Sequence, residues 1–244
     1  MTTNLVGNMP DNKYLFYVLG GPGVGKSTIM RFIQEGAPAS ISGTPEFEFL
    51  LNKISLLSFE AITLDTIKNK MAAAETLPDA NHPHPEKQKD RLDEYKTIRG
   101  TDFQAAFAKS SNIYLDDHGD LSSQDEEFLR IAKAAGYQIV LINVAVKPED
   151  YMKRQYELGK KYQYDPQEHL SWAAKLFKTA ERSFERLMPL ANHAFILERT
   201  GNESFVAHNT KRVSSQKEAG VINKTSWKNV TLQRLKKIGR KYKL

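Results

Sequence analysis

Gly20-Gly21-Pro22-Gly23-Val24-Gly25-Lys26-Ser27-Thr28 follows the apolar run Tyr14 to Leu19 and satisfies Gly-x4-Gly-Lys-Ser where a strand should give way to a helix. This is the pattern of a phosphate-binding loop. Glycines let consecutive backbone N–H groups turn inward around an anion, and no side chain blocks its approach. Gly21, Gly23, Val24 and Gly25 would line the cradle and Lys26 would reach the β- and γ-phosphates. Ser27, with Thr28 beside it, would offer a hydroxyl to Mg²⁺, while the positive end of the following helix faces the same anion. A nucleoside triphosphate, ATP or GTP, is therefore the expected ligand, together with Mg²⁺.

The chain has 244 residues, 40% of them hydrophobic, enough for one α/β domain with appendages. No apolar run is long enough to span a bilayer, and Met1 to Asn12 has neither the basic residue nor the apolar core of a signal peptide. A cytoplasmic protein is expected, although one delivered by a bacterium into a host cell would have the same composition. The absence of cysteine excludes disulfide scaffolds, thiolate zinc sites and cysteine nucleophiles. The net charge of +6 is unevenly placed: Lys224 to Leu244 holds eight basic residues and no acidic one, which leaves −2 for the first 223 residues. With Trp227 and Tyr242 interleaved, this tail suits nucleic acid or an acidic surface as a partner, or else a solvated helix. The expected organisation is a flexible lead over 1–12, the phosphate-loop domain over 13–205 and the basic tail over 206–244.

Strand and helix signals alternate along the domain. Tyr14 to Leu19 reads as a strand buried on both faces. The helix from Lys26 stops near Gly36-Ala37-Pro38, and another covers Glu46 to Leu57. Ala61 to Asp65 reads as a short strand closing on a carboxylate, with a continuing helix as the alternative. Glu75 to Arg91, with Pro78, Pro83 and Pro85, should be a mobile loop; His82 and His84 lack further ligands and read as loop residues. A helix over Asp102 to Lys109, capped at Thr101, leads to a strand from Asn112 to Asp116. Next come a helix ending at Gly136, a central strand from Tyr137 to Val146, helices from Pro148 and from Pro166 to Met188, and a final strand over Ala194 to Leu197. The order predicts an α/β fold of the P-loop NTPase type, a three-layer sandwich with a parallel sheet and helices on both faces.

In such sheets ligands sit at the carboxyl ends of the strands. Asp65, Asp116 and Asp117 are the carboxylates expected there. Phosphoryl transfer needs one to receive the acceptor's proton and another to hold Mg²⁺. Asp116 closes an apolar strand, so metal coordination with Ser27 is its simplest task, which leaves Asp65 as the base or as the cap of a helix starting at Thr66. Asp117 and His118 could orient a substrate, and Arg99 could bind an acceptor phosphate. The cationic helix after Pro148 would supply Arg154 first, and Lys161 next, to the charge on the transferred group, unless that helix simply faces solvent.

The phosphate loop, the stretch Ala61-Ile62-Thr63-Leu64-Asp65 followed by His82-Pro83, and the order of late strand, Pro-Glu, cationic helix and final strand resemble the zeta-toxin-like group of small P-loop kinases. The resemblance spans about two-thirds of the chain. It implies ATP or GTP with Mg²⁺, Asp65 as base, Lys26 and Arg154 on the phosphates, and a nucleotide sugar or nucleotide ribose as acceptor. A group that includes toxin kinases also implies an antitoxin or host protein as partner. The chain departs from the group in carrying Lys68 where an arginine is usual, in a longer spacer to His82-Pro83, and in an additional helix before Asp65.

Two other classes compete with a small-molecule kinase. A guanine-nucleotide switch would normally carry Asn-Lys-x-Asp, of which Asn223-Lys224-Thr225-Ser226 keeps only the first two residues. A nucleic-acid-directed kinase or ATPase would use the basic tail, with binding that weakens steeply in salt.

Overall fold

All six residues of β1 (Tyr14–Leu19) are buried although successive side chains point to opposite faces, so this strand is covered on both sides. The same holds for most of β4 (Asn112–Asp117) and β5 (Gln138–Ala145), which flank it. The structure, a computed structural model, describes residues 13–35, 41–42, 44–54, 57–75, 89–120, 122–200 and 204–209. The remaining strands are β2 (Ile41–Ser42), β3 (Phe59–Ile62), β6 (His193–Arg199) and β7 (Phe205–Asn209). Together they form one seven-stranded sheet in the order β2-β7-β6-β5-β1-β4-β3, parallel except for the β6–β7 pair. Helices surround it: α1 (Lys26–Glu35), α2 (Pro45–Ile54), α3 (Leu64–Glu75), α4 (Lys89–Ala108), α5 (Ser122–Ala134), α6 (Pro148–Lys161) and α7 (Pro166–Leu187). This is the expected α/β architecture, and among the described residues no helix is long and apolar enough to cross a membrane.

Three elements differ from the sequence reading. The short strand stops at Ile62, and Asp65 lies in the first turn of α3 rather than at a strand end. Thr63 explains the switch: its hydroxyl accepts from Thr66 N at 3.1 Å, while its own N–H donates to the Thr66 hydroxyl at 2.9 Å. That reciprocal cap satisfies two helix-end donors and starts the helix one residue after Thr63. Secondly, β7 continues past residue 205 and adds an antiparallel strand that the final apolar run did not announce. Thirdly, α4 is one helix of 20 residues, running straight through Gly100. The expected loop over Glu75 to Arg91 falls largely outside the described residues, as do His82, His84 and the basic tail.

The reason for the long α4 is a stripe of Leu92, Tyr95, Arg99, Phe103 and Ala106, spaced by three and four, that packs inward. One member of this stripe is charged. Arg99 is completely buried and donates to Asp125 of α5, with Asp117 of β4 at 3.7 Å from its other terminal nitrogen. Phe128, stacked on Phe103 at 4.0 Å, and Tyr17 of β1 both lie against the guanidinium. Burial alone would favour the neutral guanidine, yet Asp125 and Asp117 more than offset this and keep Arg99 charged.

Removing one member of a buried ion pair leaves the other charge unpaired, which costs about 3–5 kcal/mol. Arg99→Ala strands two carboxylates, whereas Asp125→Ala leaves Arg99 with Asp117. Urea denaturation should therefore show a loss in that range for Arg99→Ala and a smaller loss for Asp125→Ala; equal stability to wild type for Arg99→Ala would remove this cluster from the determinants of the fold.

Candidate functional site

The register of the central strands decides what meets at the carboxyl edge. β1 and β4 pair with Val18 beside Asp116 and Leu19 beside Asp117, so the glycine loop leaves β1 next to both carboxylates. Gly23 and Gly25 have φ of +72° and +112°, a region glycine enters without steric cost. A Cβ on Gly23 would stand 2.9 Å from the Gln155 amide nitrogen, and one on Gly25 would stand 2.7 Å from an Arg199 nitrogen. Gly21 is equally enclosed, by the Tyr151 hydroxyl at 2.5 Å. Val24 is buried, Ser27 is exposed in the first turn of α1, and Thr28 is half-buried behind it. Tyr114 of β4 donates its hydroxyl to the Lys26 carbonyl at 3.0 Å, which fixes that first turn to the sheet.

The Lys26 side chain is 7% exposed and folds back under the loop. Its ammonium donates to the carbonyls of Gly20 at 2.9 Å and Gly21 at 3.3 Å, with His118 Nδ1 at 3.2 Å. Burial lowers its proton affinity; Asp116, Asp117 and Asp65 work against that shift and Lys68 adds to it. Lys68 and Asp65 of α3 thus act on the same point of the site as the loop lysine. Asp116 is 4% exposed and accepts from Leu64 N at 2.8 Å, so it satisfies a free donor at the start of α3 and draws that helix end onto the sheet edge. Burial pushes its carboxyl up to about 6, while Lys26 and the Leu64 N–H restrain the rise. Asp65 is exposed in the adjoining turn.

Asp117 and His118 have settings of their own. Asp117 is 1% exposed; one oxygen accepts from Gly119 N at 2.8 Å and the other faces Arg99. Gly119, at φ +86°, is also held through its carbonyl by the Ser183 hydroxyl at 2.7 Å. The turn from Asp117 to Gly119 is thereby pinned by α4 on one side and α7 on the other. His118 lies between them, with its Nδ1 at 2.9 Å from the Gly20 carbonyl and its ring edge-on to Trp172. Arg99, expected at an acceptor phosphate, is instead sealed in the core with two carboxylates, because its place in the α4 stripe points it inward.

The other side of the loop opens on a cleft of about 590 Å³ lined by Gly23, Asp150, Lys153, Arg154, Arg199 and Thr200, among others. Arg154 lines this cleft together with Gly23 of the loop. Lys161 does not: it stands exposed at the far end of α6, over the Tyr162 ring at 5.3 Å. Sequence reasoning missed two residues here. Arg199 donates to the Val24 carbonyl at 2.9 Å from the end of β6, and Gln155, fully buried, donates to the Pro22 carbonyl while its oxygen meets His169 Nε2 at 3.1 Å. Gln155 follows Arg154 directly, so the signal for it was the helix period of Tyr151, Gln155 and Gly159, a buried stripe with one polar member.

No protein-family description and no curated protein matches the sequence. Among solved structures, the chain is similar to one from the PezAT chromosomal toxin-antitoxin system of Streptococcus pneumoniae. The two share 16% identity over 98% of this chain and 88% of the other, with a TM-score of 0.52. At that identity the likeness extends to the fold: a mostly parallel sheet with helices around it, as in P-loop NTPases.

Proposed function

We propose that this protein is a P-loop phosphotransferase that moves the γ-phosphoryl group of ATP or GTP to a hydroxyl of a nucleotide-type acceptor, a nucleotide sugar or a nucleotide ribose. The observation that carries the reading is the convergence of the glycine loop, buried Lys26, buried Asp116 and exposed Asp65 at one edge of the sheet. Likeness in fold to a chain of a toxin-antitoxin system supports the zeta-toxin-like version of that reading, and with it a protein partner that controls the activity.

The residues present fit the groups such a reaction needs. Gly23 and Gly25 keep backbone where a side chain would intrude, which suits the close approach of a phosphate. The 590 Å³ cleft beside the loop has the size for the base and ribose, with the Arg154 and Arg199 guanidiniums at its walls. Asp116 is a buried carboxylate whose charge Lys26 only partly balances, and the Ser27 hydroxyl is exposed on the adjoining turn. These two residues would hold Mg²⁺. Among the described residues no cluster of three or more His, Cys, Asp or Glu side chains forms a metal cage, in keeping with an ion bound mainly through nucleotide phosphates and water. When bound, Mg²⁺ supplies charge neutralisation on the phosphate oxygens.

The chain's own groups divide the remaining work. Lys26 leaves the loop carbonyls for the phosphates, and Arg154 faces the charge that gathers on the transferred group. Asp65 accepts the acceptor's hydroxyl proton as that oxygen forms its bond to phosphorus; the bond from phosphorus to the bridging oxygen breaks and the nucleoside diphosphate leaves.

Two results test this reading. With γ-labelled ATP or GTP, Mg²⁺ and a panel of nucleotide sugars, nucleotides and oligonucleotides, wild type should label one acceptor. Lys26→Ala and Asp65→Asn should lose that transfer by about 10³-fold while keeping the wild-type circular-dichroism spectrum. Phosphate release with no labelled acceptor would point instead to a nucleotide-gated switch. Separately, a carboxyl raised from 3.8 to about 6 on folding contributes stability below pH 4 that is lost as pH rises through 6. In the nucleotide-free protein Asp116→Asn should accordingly be more stable than wild type by about 3 kcal/mol at pH 8, with no advantage at pH 4. Denaturant titrations at both pH values measure the difference.

A further inference from the structure

The glycine loop leaves β1, and the sheet order sets β5 and β6 on one side of that strand and β4 and β3 on the other. The cleft lies on the first side: Val146 follows β5, Arg199 ends β6, and Asp150, Arg154 and Leu158 come from α6. Asp116, His118 and Asp65 lie on the second, His118 directly after β4 and Asp65 directly after Leu64, whose N–H is bonded to Asp116. Helix α6 divides the two sides. One of its faces lines the cleft, while Tyr151, Gln155 and Gly159 pack on α7. The Tyr151 hydroxyl donates to the Ala173 carbonyl at 3.0 Å, the Gln155 oxygen meets His169 Nε2, and a Cβ on Gly159 would stand 3.1 Å from the His169 ring. From there α7 reaches the second side, where Ser183 holds the Gly119 carbonyl and Trp172 stands edge-on to His118, with 6.2 Å between ring centroids.

Phosphoryl transfer sets the attacking and leaving oxygens roughly in line on opposite sides of phosphorus. With the donor's base and ribose in the cleft, the acceptor comes from the side of Asp65, His118 and Trp172. Trp172 is only half-buried there, whereas Ala173, Leu176 and Phe177 on the same helix are buried. His118 Nδ1 is 3.2 Å from the Lys26 ammonium, so the indole is one side chain removed from the loop lysine. Its orientation is fixed from a second direction by His169, tilted 34° at 5.7 Å and itself held between Gln155 and the Tyr164 ring. An aromatic ring ordered before its ligand arrives binds at little entropic cost, and stacking on a nucleobase suits its large flat face. We propose that Trp172 is the stacking platform for the base of the acceptor, and thereby a specificity-determining residue that selects nucleotides and nucleotide sugars over bare sugar phosphates. The proposal rests on the phosphotransferase reading and names the part of the acceptor that this side of the site recognises.

The chain has two tryptophans, Trp172 and Trp227, so Trp227→Phe leaves Trp172 as the sole indole emitter. Protein of that background is first saturated with Mg²⁺ and a non-hydrolysable triphosphate analogue, of adenosine or guanosine, with binding followed by calorimetry. The 5′-monophosphates of uridine, cytidine, adenosine and guanosine and the diphosphate hexoses of uridine and guanosine are then added, with ribose 5-phosphate as the probe that carries no base. At least one base-bearing probe should quench the Trp172 emission, and ribose 5-phosphate should not. For the probe that binds, Trp172→Leu should raise the dissociation constant, and in the transfer assay the KM for acceptor more than it lowers kcat, by roughly 10- to 100-fold. Trp172→Phe, which keeps a flat ring, should stay within about threefold of wild type, and both variants should bind the triphosphate analogue as wild type does. Absence of quenching by every base-bearing probe, equal quenching by ribose 5-phosphate, or an unchanged dissociation constant in Trp172→Leu would overturn the platform while leaving the donor site standing. Failure of wild type to bind either analogue would overturn the nucleotide-site reading, and the platform with it.

Discussion

The site depends on the parallel register between β1 and β4. Side chains of a strand alternate between faces, so a slip of one residue would turn Asp116 to the face that Asp117 occupies and Asp117 to the opposite one, carrying both away from their present neighbours. In the native register Asp117 faces a guanidinium that is completely buried, and Asp116 accepts from the Leu64 N–H with the Lys26 ammonium acting on it from farther off. At its other end β4 opens on Asn112, whose side-chain oxygen accepts from Tyr14 N at 2.9 Å and whose amide donates to the Ser58 carbonyl at 3.2 Å, a further polar tie on the register. The contact between Asp117 and Arg99 and the Leu64 N–H that Asp116 accepts are both made in the native register.

From this follows a division of the buried charges into a fixed set and a mobile one. Arg99, Asp125 and Asp117 lie between α4, α5 and β4, flanked by Tyr17 and Tyr95, whose hydroxyls burial keeps protonated far above their ordinary range. Several of their polar atoms, among them the Tyr17 and Tyr95 hydroxyls and one oxygen of each aspartate, have no hydrogen-bond partner within the described protein atoms, and buried groups of this kind commonly hold ordered water. Lys26, Asp116 and His118 are as deeply placed, but they sit at the strand ends, where a ligand can reach them.

What the sequence discloses and what it hides separate along physical lines. The loop of glycines, its lysine and the strand before it were legible because every residue there has a single task that constrains its type. Asp116 was legible as the polar end of an apolar strand. Arg99 was misjudged, since a charged residue in a core-facing stripe erases the hydrophobic period and Gly100 after it looks like a stop. Arg154 lines the cleft beside the loop, whereas Lys161, seven positions on, falls at the far end of the same helix; the sequence alone does not say which turn of that helix adjoins the loop. Gln155 and Arg199 were missed because their partners are backbone carbonyls of the loop, and a carbonyl leaves no mark in the amino-acid sequence. Asp65 was read at the end of a strand, with a helix as the alternative, because the reciprocal cap between Thr63 and Thr66 acts through threonines, which sequence patterns also count as strand formers.

The strand order at the other edge of the sheet bears on how the chain reaches this state. β2, at Ile41–Ser42, is held by β7 at Phe205 and Val206, and β7 alone joins it to β6. During synthesis β2 emerges early and has no partner in the sheet until the chain has grown past residue 206, and β6, once made, presents an open edge until β7 follows it. Closing so long a loop is slow compared with forming local helices, and an unpaired edge is open to pairing with another chain. The growing chain thus holds the glycine loop and its carboxylates before it holds β7, the strand on which this border of the sheet depends.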